Sequence, residues 1–224
     1  NLKNVARHPL FIIGLMLKVT LILVFSPSAI TDWYAPFLMS SIENPGFDPW
    51  HSWLSQSGSS DAFPYGFMTW LVFLPGAIVS SIFGFSGELG YEITILIVDF
   101  AVLWMLKAFC PNSPRLLLAT YWLSPIVLVA SYVFGLNDLL PAFFLLTSMF
   151  FLREYKFPLS ALFFVLSVSA KLSMLITLPF LIVYFINNRN LRRYSLIFFG
   201  HLLFWSVILL VPYVLSDSAL RMLL

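Results

Sequence analysis

The sequence predicts an all-α, polytopic membrane protein. Of its 224 residues, 60% are hydrophobic and only 10% are charged, whereas a soluble domain carries about 25% charged residues. The mean hydropathy is +0.94, and the apolar residues form long runs without the alternation of a transmembrane barrel strand. In lipid, such runs satisfy their backbone hydrogen bonds as helices. The single cysteine, Cys110, excludes a disulfide within the chain and a cysteine-based metal site.

The apolar runs divide into segments that are candidates for membrane crossings. They lie roughly at 9–27, 67–84, 89–106, 116–134, 139–152, 158–170, 172–187 and 195–215. Two of them, 139–152 and 158–170, are shorter than the roughly 20 residues that a membrane core requires. We expect these two helices to stop early, at a cavity or a locally thinned bilayer.

Basic residues are absent between Lys18 and Lys107. Most of the acidic residues lie in this stretch: Asp32, Glu43, Asp48, Asp61, Glu88, Glu92 and Asp99. Membrane proteins retain Lys and Arg on the cytoplasmic side. A long acidic stretch without them therefore indicates a large external loop.

The basic residues also constrain the number of crossings. Lys3 and Arg7 place the N-terminus in the cytoplasm. If every segment crossed, the basic residues after Lys107 would nearly all lie outside, so one earlier segment must not cross. Segment 67–84 is the best candidate, because Pro75 and Gly76 at its centre disfavour a regular helix. We expect it to lie in, or dip into, the outer leaflet.

The predicted architecture is one module, residues 1–224, with seven crossings and an external loop at 28–88 that contains the juxtamembrane helix. The predicted cytoplasmic segments are 1–8, 107–115, 153–157 and 188–194. The other predicted external segments are 135–138, 170–172 and 216–224.

Asp32 is the first candidate catalytic residue. It follows the first helix by about five residues, and Trp33 and Tyr34 beside it are typical interface anchors. A carboxylate at this depth can meet both water and a lipid-borne group. The alternative is a helix cap or a solvated loop acid.

Asp138 and Lys171 are two further candidates on the same side. Asn137 and Asp138 close the short turn that begins at Gly135, where an N-cap is the plain alternative. Lys171 lies between two apolar segments on the side where basic residues are rare. It suits a phosphate at headgroup level, or it is a lysine that snorkels.

Lys18 and Asp99 are both predicted to lie near the bilayer centre. Opposite charges at one depth favour a structural ion pair, with a proton or ion relay as the alternative. Glu92 lies seven residues before Asp99 on the same helical face and is expected to line the cavity of Asp32. His51 is a candidate for contact with a sugar or a phosphate.

Several function classes lack their motifs. The sequence has no P-loop, no Gly-rich dinucleotide motif, no HExxH and no nucleophile elbow, which argues against a nucleotide-driven pump. The net charge of +2 gives no reason to expect a nucleic-acid partner.

Taken in order, these motifs resemble the GT-C superfamily of membrane glycosyltransferases. The matching stretches are Thr31-Asp-Trp-Tyr34 after the first helix, Phe63-Pro-Tyr-Gly-Phe-Met-Thr-Trp-Leu71 in the loop, Gly135-Leu-Asn-Asp138 in the second external loop, and Ala170-Lys-Leu-Ser173 at a later helix end. Tyr65 stands where many relatives have a second proline. The chain ends just after the seventh predicted crossing, where relatives usually continue, so a fragment, a minimal member and a partner-dependent member all stay open.

The resemblance implies a polyprenyl-phosphate monosaccharide as donor and inversion at the anomeric carbon. Asp32 would be the general base, Lys171 would neutralise the phosphate, and Asp138 would orient the reactants or help to hold Mg²⁺ or Mn²⁺, if a metal is needed. We expect further substrate contacts from Tyr34, His51, Tyr65, Glu92 and Asn137.

The acceptor would be a glycan, a lipid or a protein. The compact outer loops and the lack of an Asn-x-Ser/Thr site favour a bacterial inner membrane, with the endoplasmic reticulum as the alternative. Two rival functions are a transporter that uses Lys18, Asp99 and Glu92 as a relay, and a non-catalytic subunit that scaffolds a membrane partner.

Overall fold

The computed structural model describes residues 5–223. It is all-helical, with 80% helix and no strand in that range. The helices are α1 Pro9–Val24, α2 Ala35–Glu43, α3 Pro49–Ser55, α4 Phe67–Phe83, α5 Gly87–Phe109, α6 Pro114–Val133, α7 Leu139–Arg153, α8 Phe157–Ala170, α9 Leu178–Asn187, α10 Arg189–Arg192, α11 Ser195–Val214 and α12 Asp217–Leu223.

Within residues 5–223, three helices are long and apolar enough to cross a membrane: α5, α6 and α11. A fourth candidate is α1 together with Ala29–Glu43, a pair that is bent by 63°. The apolar helices α4, α7, α8 and Leu172–Asn187 are shorter. These lengths are consistent with a membrane protein.

The hairpin of α7 and α8 establishes which helix ends lie together. Ser148 and Ser160 exchange hydrogen bonds with each other's carbonyl oxygens at 2.7 and 2.9 Å. The Ser167 hydroxyl donates to the carbonyl of Pro141 at 2.7 Å. The end of α8 therefore lies beside the start of α7. The start of α5 joins them, because the Tyr91 hydroxyl donates to the Gly135 carbonyl at 3.5 Å.

We call this end of the bundle the rim, and α4 has both of its ends there. At its start, the Thr69 hydroxyl donates to the carbonyl of Ala170, the last residue of α8, at 2.8 Å. At its end, Gly84 adopts φ +69° and turns the chain directly into α5. In between, a Cβ on Gly76 would lie 2.5 Å from the carbonyl oxygen of Gly90, so α4 and α5 are in backbone contact.

The predicted external loop 28–88 is more ordered than expected. Besides α4 it contains a π-helical turn, Ala29–Tyr34, and the helices α2 and α3. Proline in the first turn suits both helices, and the Asp48 side chain caps α3 by accepting from the His51 backbone N–H at 2.9 Å. Sequence reasoning missed α2 and α3 because they are only nine and seven residues long, and α2 buries Ser40 and Ser41 as well as apolar side chains.

The predicted crossing at 116–134 also differs from a regular helix. It contains two π-helical turns, Leu118–Trp122 and Leu128–Val133. Between them the helix breaks at Leu123 and Ser124, because Pro125 lacks a backbone N–H and disfavours helical geometry in the residue before it.

Charge separates the two ends of the bundle. The end opposite the rim, which we call the basic end, includes the start of α1 and the end of α5, which pack together around Trp122. Basic side chains gather there: Arg7, Lys107, Arg115, Arg153, Lys156, Arg189, Arg192 and Arg193. The rim has acidic residues such as Asp32, Glu88 and Asp138, with Lys171 beside them. This separation agrees with the charge pattern expected from the sequence.

Candidate functional site

Three tyrosines from three elements form the floor of the rim. Tyr34 ends the π-helical turn, Tyr65 precedes α4, and Tyr91 lies in the first turns of α5. The hydroxyls of Tyr34 and Tyr65 are 2.8 Å apart and hydrogen-bonded. The rings of Tyr34 and Tyr91 stack with centroids 5.3 Å apart. Burial raises the pKa of Tyr65 well above its usual value, so its hydroxyl stays protonated.

An ion pair between Lys171 and Asp138 lies above this floor. Lys171 is the first residue after α8 and is extended, whereas Asp138 directly precedes α7. The lysine Nζ lies 5.9 Å from the centroid of the Tyr65 ring. The two side chains remain 31% and 48% exposed. The pair is therefore accessible at the surface of the rim.

This pair settles one alternative. The expected alternative for Asp138 was a helix cap, but its side chain makes no capping hydrogen bond to α7. Instead the carboxylate binds an ammonium that is distant in the sequence. Asp138 thus occupies the N-cap position of α7, but its side chain pairs with Lys171 instead of capping the helix.

Asn137 lies beneath the pair and is only 2% exposed. Its side-chain amide lies at the Tyr91 hydroxyl, although within residues 5–223 the amide nitrogen makes no hydrogen bond of strict geometry. Asn137 thus places a buried amide donor between Tyr91 and the exposed ion pair.

Asp32 lies on the same rim but outside this cluster. Its neighbours Ile30 and Tyr34 are buried. Ile30 packs directly against the Gly135 backbone, because a Cβ on Gly135 would lie 2.5 Å from Ile30 Cγ1. Asp32 is about half a helical turn from both residues and is exposed. The Thr31 hydroxyl donates to its Oδ1 at 3.0 Å, and it forms no ion pair within residues 5–223.

The two carboxylates are engaged differently. Asp138 is bonded to an ammonium, whereas Asp32 accepts from Thr31 and makes no hydrogen bond to the cluster within the described residues. Residues 5–223 contain no group of three or more His, Cys, Asp or Glu side chains placed to hold a metal ion. Mg²⁺ and Mn²⁺ favour several oxygen ligands, which the two residues do not supply together.

Two other candidates are separate from the pair. His51 is exposed, and its Nδ1 lies 3.4 Å from the Ser218 hydroxyl, so it belongs to the contact between α3 and α12. Glu92 is buried on α5 next to Tyr91 and forms no ion pair among the described residues. It is close to the floor, and it makes no contact with Lys171 within salt-bridge distance.

A second Lys–Asp pair lies at the centre of the bundle. Lys18 Nζ is 2.5 Å from Asp99 Oδ2, and both side chains are 0% exposed. The ion pair expected from their depths is present. Tyr132 donates to Oδ2 at 2.6 Å and Tyr121 to Oδ1 at 2.7 Å, while the ammonium lies 3.3 Å from the ring centroid of Trp122.

Sequence reasoning missed Tyr121, Trp122 and Tyr132. Each lies in one of the two π-helical turns of α6, which shift its side chains out of regular register. The signal that could have identified them is the presence of polar aromatic side chains within the otherwise apolar segment 116–134.

The two ion pairs differ in their surroundings. The charged groups of the buried Lys18–Asp99 pair are enclosed by protein partners, whereas those of the Lys171–Asp138 pair are partly exposed.

No protein-family model, curated protein or solved structure matches this chain.

Proposed function

We propose that the protein is a membrane glycosyltransferase of the GT-C type. It transfers a monosaccharide from a polyprenyl-phosphate donor to an acceptor hydroxyl at the rim, with inversion. The observation that carries the proposal is the exposed Lys171–Asp138 pair above a floor of buried tyrosines, at the acidic end of an apolar helical bundle.

The proposal includes the seven-crossing topology in a bacterial inner membrane, with the N-terminus in the cytoplasm and the rim outside. Two features support it. The basic side chains gather at the end opposite the rim, as the positive-inside rule requires. In addition, α4 begins and ends at the rim, as a helix that does not cross must do.

Lys171 is the proposed phosphate-binding residue. A lipid-linked phosphate needs a cation next to apolar surface, and Lys171 is followed at once by exposed Leu172, Leu175 and Ile176. In the free protein Asp138 neutralises the ammonium. Donor binding would exchange this carboxylate for the phosphate, so Asp138 acts as a positioning residue that holds Lys171 in place until the donor arrives.

The floor suits a sugar ring. Tyr34 and Tyr65 carry protonated hydroxyls and Asn137 carries an amide donor; because all three are buried, a sugar would reach them only once Lys171 and Asp138 separate. Sugar hydroxyls need such neutral donors and acceptors, and aromatic faces pack against the ring's C–H groups. These groups would orient the anomeric carbon above Lys171.

Asp32 is the proposed general base, because it is an exposed rim carboxylate that forms no ion pair in the described structure and lies two residues before Tyr34 of the floor. The acceptor oxygen forms a bond to the anomeric carbon while the bond from that carbon to the phosphate oxygen breaks. The phosphate leaves with the bonding electrons and is stabilised by Lys171. The hydroxyl proton goes to Asp32, which contributes about 10²–10⁴-fold in rate.

A transporter function, in which Lys18 and Asp99 relay protons or ions, has less support. A relay needs vacant sites and water access, but Lys18 and Asp99 are fully buried, and two tyrosines occupy the carboxylate oxygens. This centre has the contacts of a structural element.

The decisive experiment measures sugar transfer by the purified protein in liposomes. The probes are short-chain polyprenyl phosphates with radiolabelled mannose or glucose, and a membrane extract supplies acceptors. We expect transfer by the wild type and at least a tenfold loss of apparent donor affinity in Lys171→Ala, because the phosphate loses its cation. Lys107→Ala, at the basic end, is the matched control. Equal donor affinity in Lys171→Ala and Lys107→Ala would remove the phosphate role, and no transfer from any donor would remove the enzyme proposal.

A further inference from the structure

A large cavity lies at the basic end, opposite the rim. Its volume is about 570 Å³, and it is bounded by the end of α7 and by α9 and α10. Most of its wall is apolar, from residues such as Leu152, Phe180 and Leu181, while Arg153 and Asn188 provide polar groups at one side. Ligand pockets fall in the range of about 300–1,000 Å³, so the cavity is large enough for a specific ligand.

The cavity is open to the surroundings on its apolar side. Ile176, Phe180 and Val183 of the same segment are largely exposed. In a membrane protein, such side chains face the hydrocarbon of the bilayer. A hydrocarbon chain can therefore enter between α7 and α9 without crossing a polar barrier.

The polar side of the cavity is positive. Arg153 is exposed and forms no ion pair in the described range of the chain. Arg189 and Arg192 flank the cavity through α10, and Lys156 follows α7. The neighbouring acid, Glu154, makes no ion pair with any of them within residues 5–223.

We propose that this cavity binds an anionic membrane phospholipid. Its phosphate would lie on Arg153, whose guanidinium can bind phosphate oxygens in a bidentate way. One hydrocarbon chain would fill the apolar part between α7 and α9. The apolar part of the cavity is large enough for a hydrocarbon chain, which favours a lipid over a soluble anion. The cationic edge favours an anionic lipid over a zwitterionic one. The proposal does not depend on the proposed glycosyltransferase activity.

The test is lipid binding measured by native mass spectrometry on the full chain in detergent, with phosphatidylglycerol and phosphatidylcholine of equal chain length. We expect phosphatidylglycerol to bind more tightly. Arg153→Gln should weaken its binding about fivefold, and Arg7→Gln, an exposed arginine at the same end but outside the cavity, should not. Met149→Trp, which narrows the cavity at a partly exposed position, should weaken the binding of phosphatidylglycerol.

Thermal unfolding of each variant serves as the control for folding. Equal affinity for the two lipids, or equal loss in Arg153→Gln and Arg7→Gln, would show that the positive edge selects no headgroup and would overturn the proposal. Full competition by glycerol phosphate alone would also overturn it, because a soluble anion would then suffice.

Discussion

Lys18–Asp99 and Lys171–Asp138 are ion pairs of the same chemistry in opposite surroundings. The first is fully buried, and its carboxylate accepts from two tyrosines. The second is exposed to about a third and a half, respectively. A buried pair must be surrounded by partners because each unmet charge is costly, whereas an exposed pair can exchange its partner for a ligand. The contrast separates a centre that holds the helices together from one that can do chemistry.

The largest expected effect is on the buried pair. Asp99→Asn would leave the Lys18 ammonium without its counter-charge, which should destabilise the protein by about 3–5 kcal/mol. Thermal unfolding in detergent measures the loss. Asp138→Asn is the matched control, and it should cost about 1 kcal/mol or less, because exposed pairs contribute little.

The double variant Lys18→Met/Asp99→Leu sharpens this contrast. It removes both charges and should be more stable than Asp99→Asn alone. If Asp99→Asn and Asp138→Asn cost the same, the assignment of a structural role to the buried pair fails.

The next effect is on catalysis at the rim. Asp32→Asn should reduce sugar transfer by about 10²–10⁴-fold while the unfolding temperature stays unchanged, because the side chain is exposed. Asp48→Ala serves as the comparison, since it removes the cap of α3 and should affect stability rather than rate. Full activity in Asp32→Asn together with an inactive Asp138→Asn would transfer the role of base to Asp138.

A smaller effect is expected for the tyrosines around Asp99. Tyr132→Phe removes one hydrogen bond to a charged oxygen and should cost about 1.5–3 kcal/mol of folding free energy. Its effect on sugar transfer should be slight, in contrast to a rim variant. If Tyr132→Phe keeps the wild-type unfolding free energy but loses sugar transfer, the buried Lys18–Asp99 centre takes part in the reaction.

The smallest effect concerns Tyr65. Tyr65→Phe removes the hydrogen bond to Tyr34 and should cost about 1 kcal/mol. The pKa of Tyr65 is raised in the folded state, so its contribution is present below the unfolded pKa of about 10 and declines as pH rises above it. Unfolding scans between neutral and alkaline pH should therefore show a steeper decline for the wild type than for Tyr65→Phe, and parallel curves would contradict this.

Some of these features could be predicted from the sequence. Lys18 and Asp99 could be paired because a bilayer makes single charges at one depth costly. The helix at 67–84 could be singled out from charge parity. The pairing of Asp138 with Lys171 could not, because a turn and a helix end carry no signal of their mutual distance, and a local cap was the simpler expectation for Asp138. The tyrosines of α6 were hidden because π-helical turns and the break before Pro125 alter the side-chain register that a regular helix would give.

The backbone contact between Gly76 and Gly90 has a mechanical consequence. Main-chain atoms of both helices, with the small side chains of Thr94 and Ser80 beside them, fix the separation of α4 and α5, so little room is left for side-chain repacking to alter it. Tyr65 is one residue before Gly66, whose N–H donates to Ala170, and Tyr91 directly follows Gly90. The spacing of these two tyrosines is therefore rigid, and changes in bilayer thickness should move the floor of the rim as a unit rather than widen it.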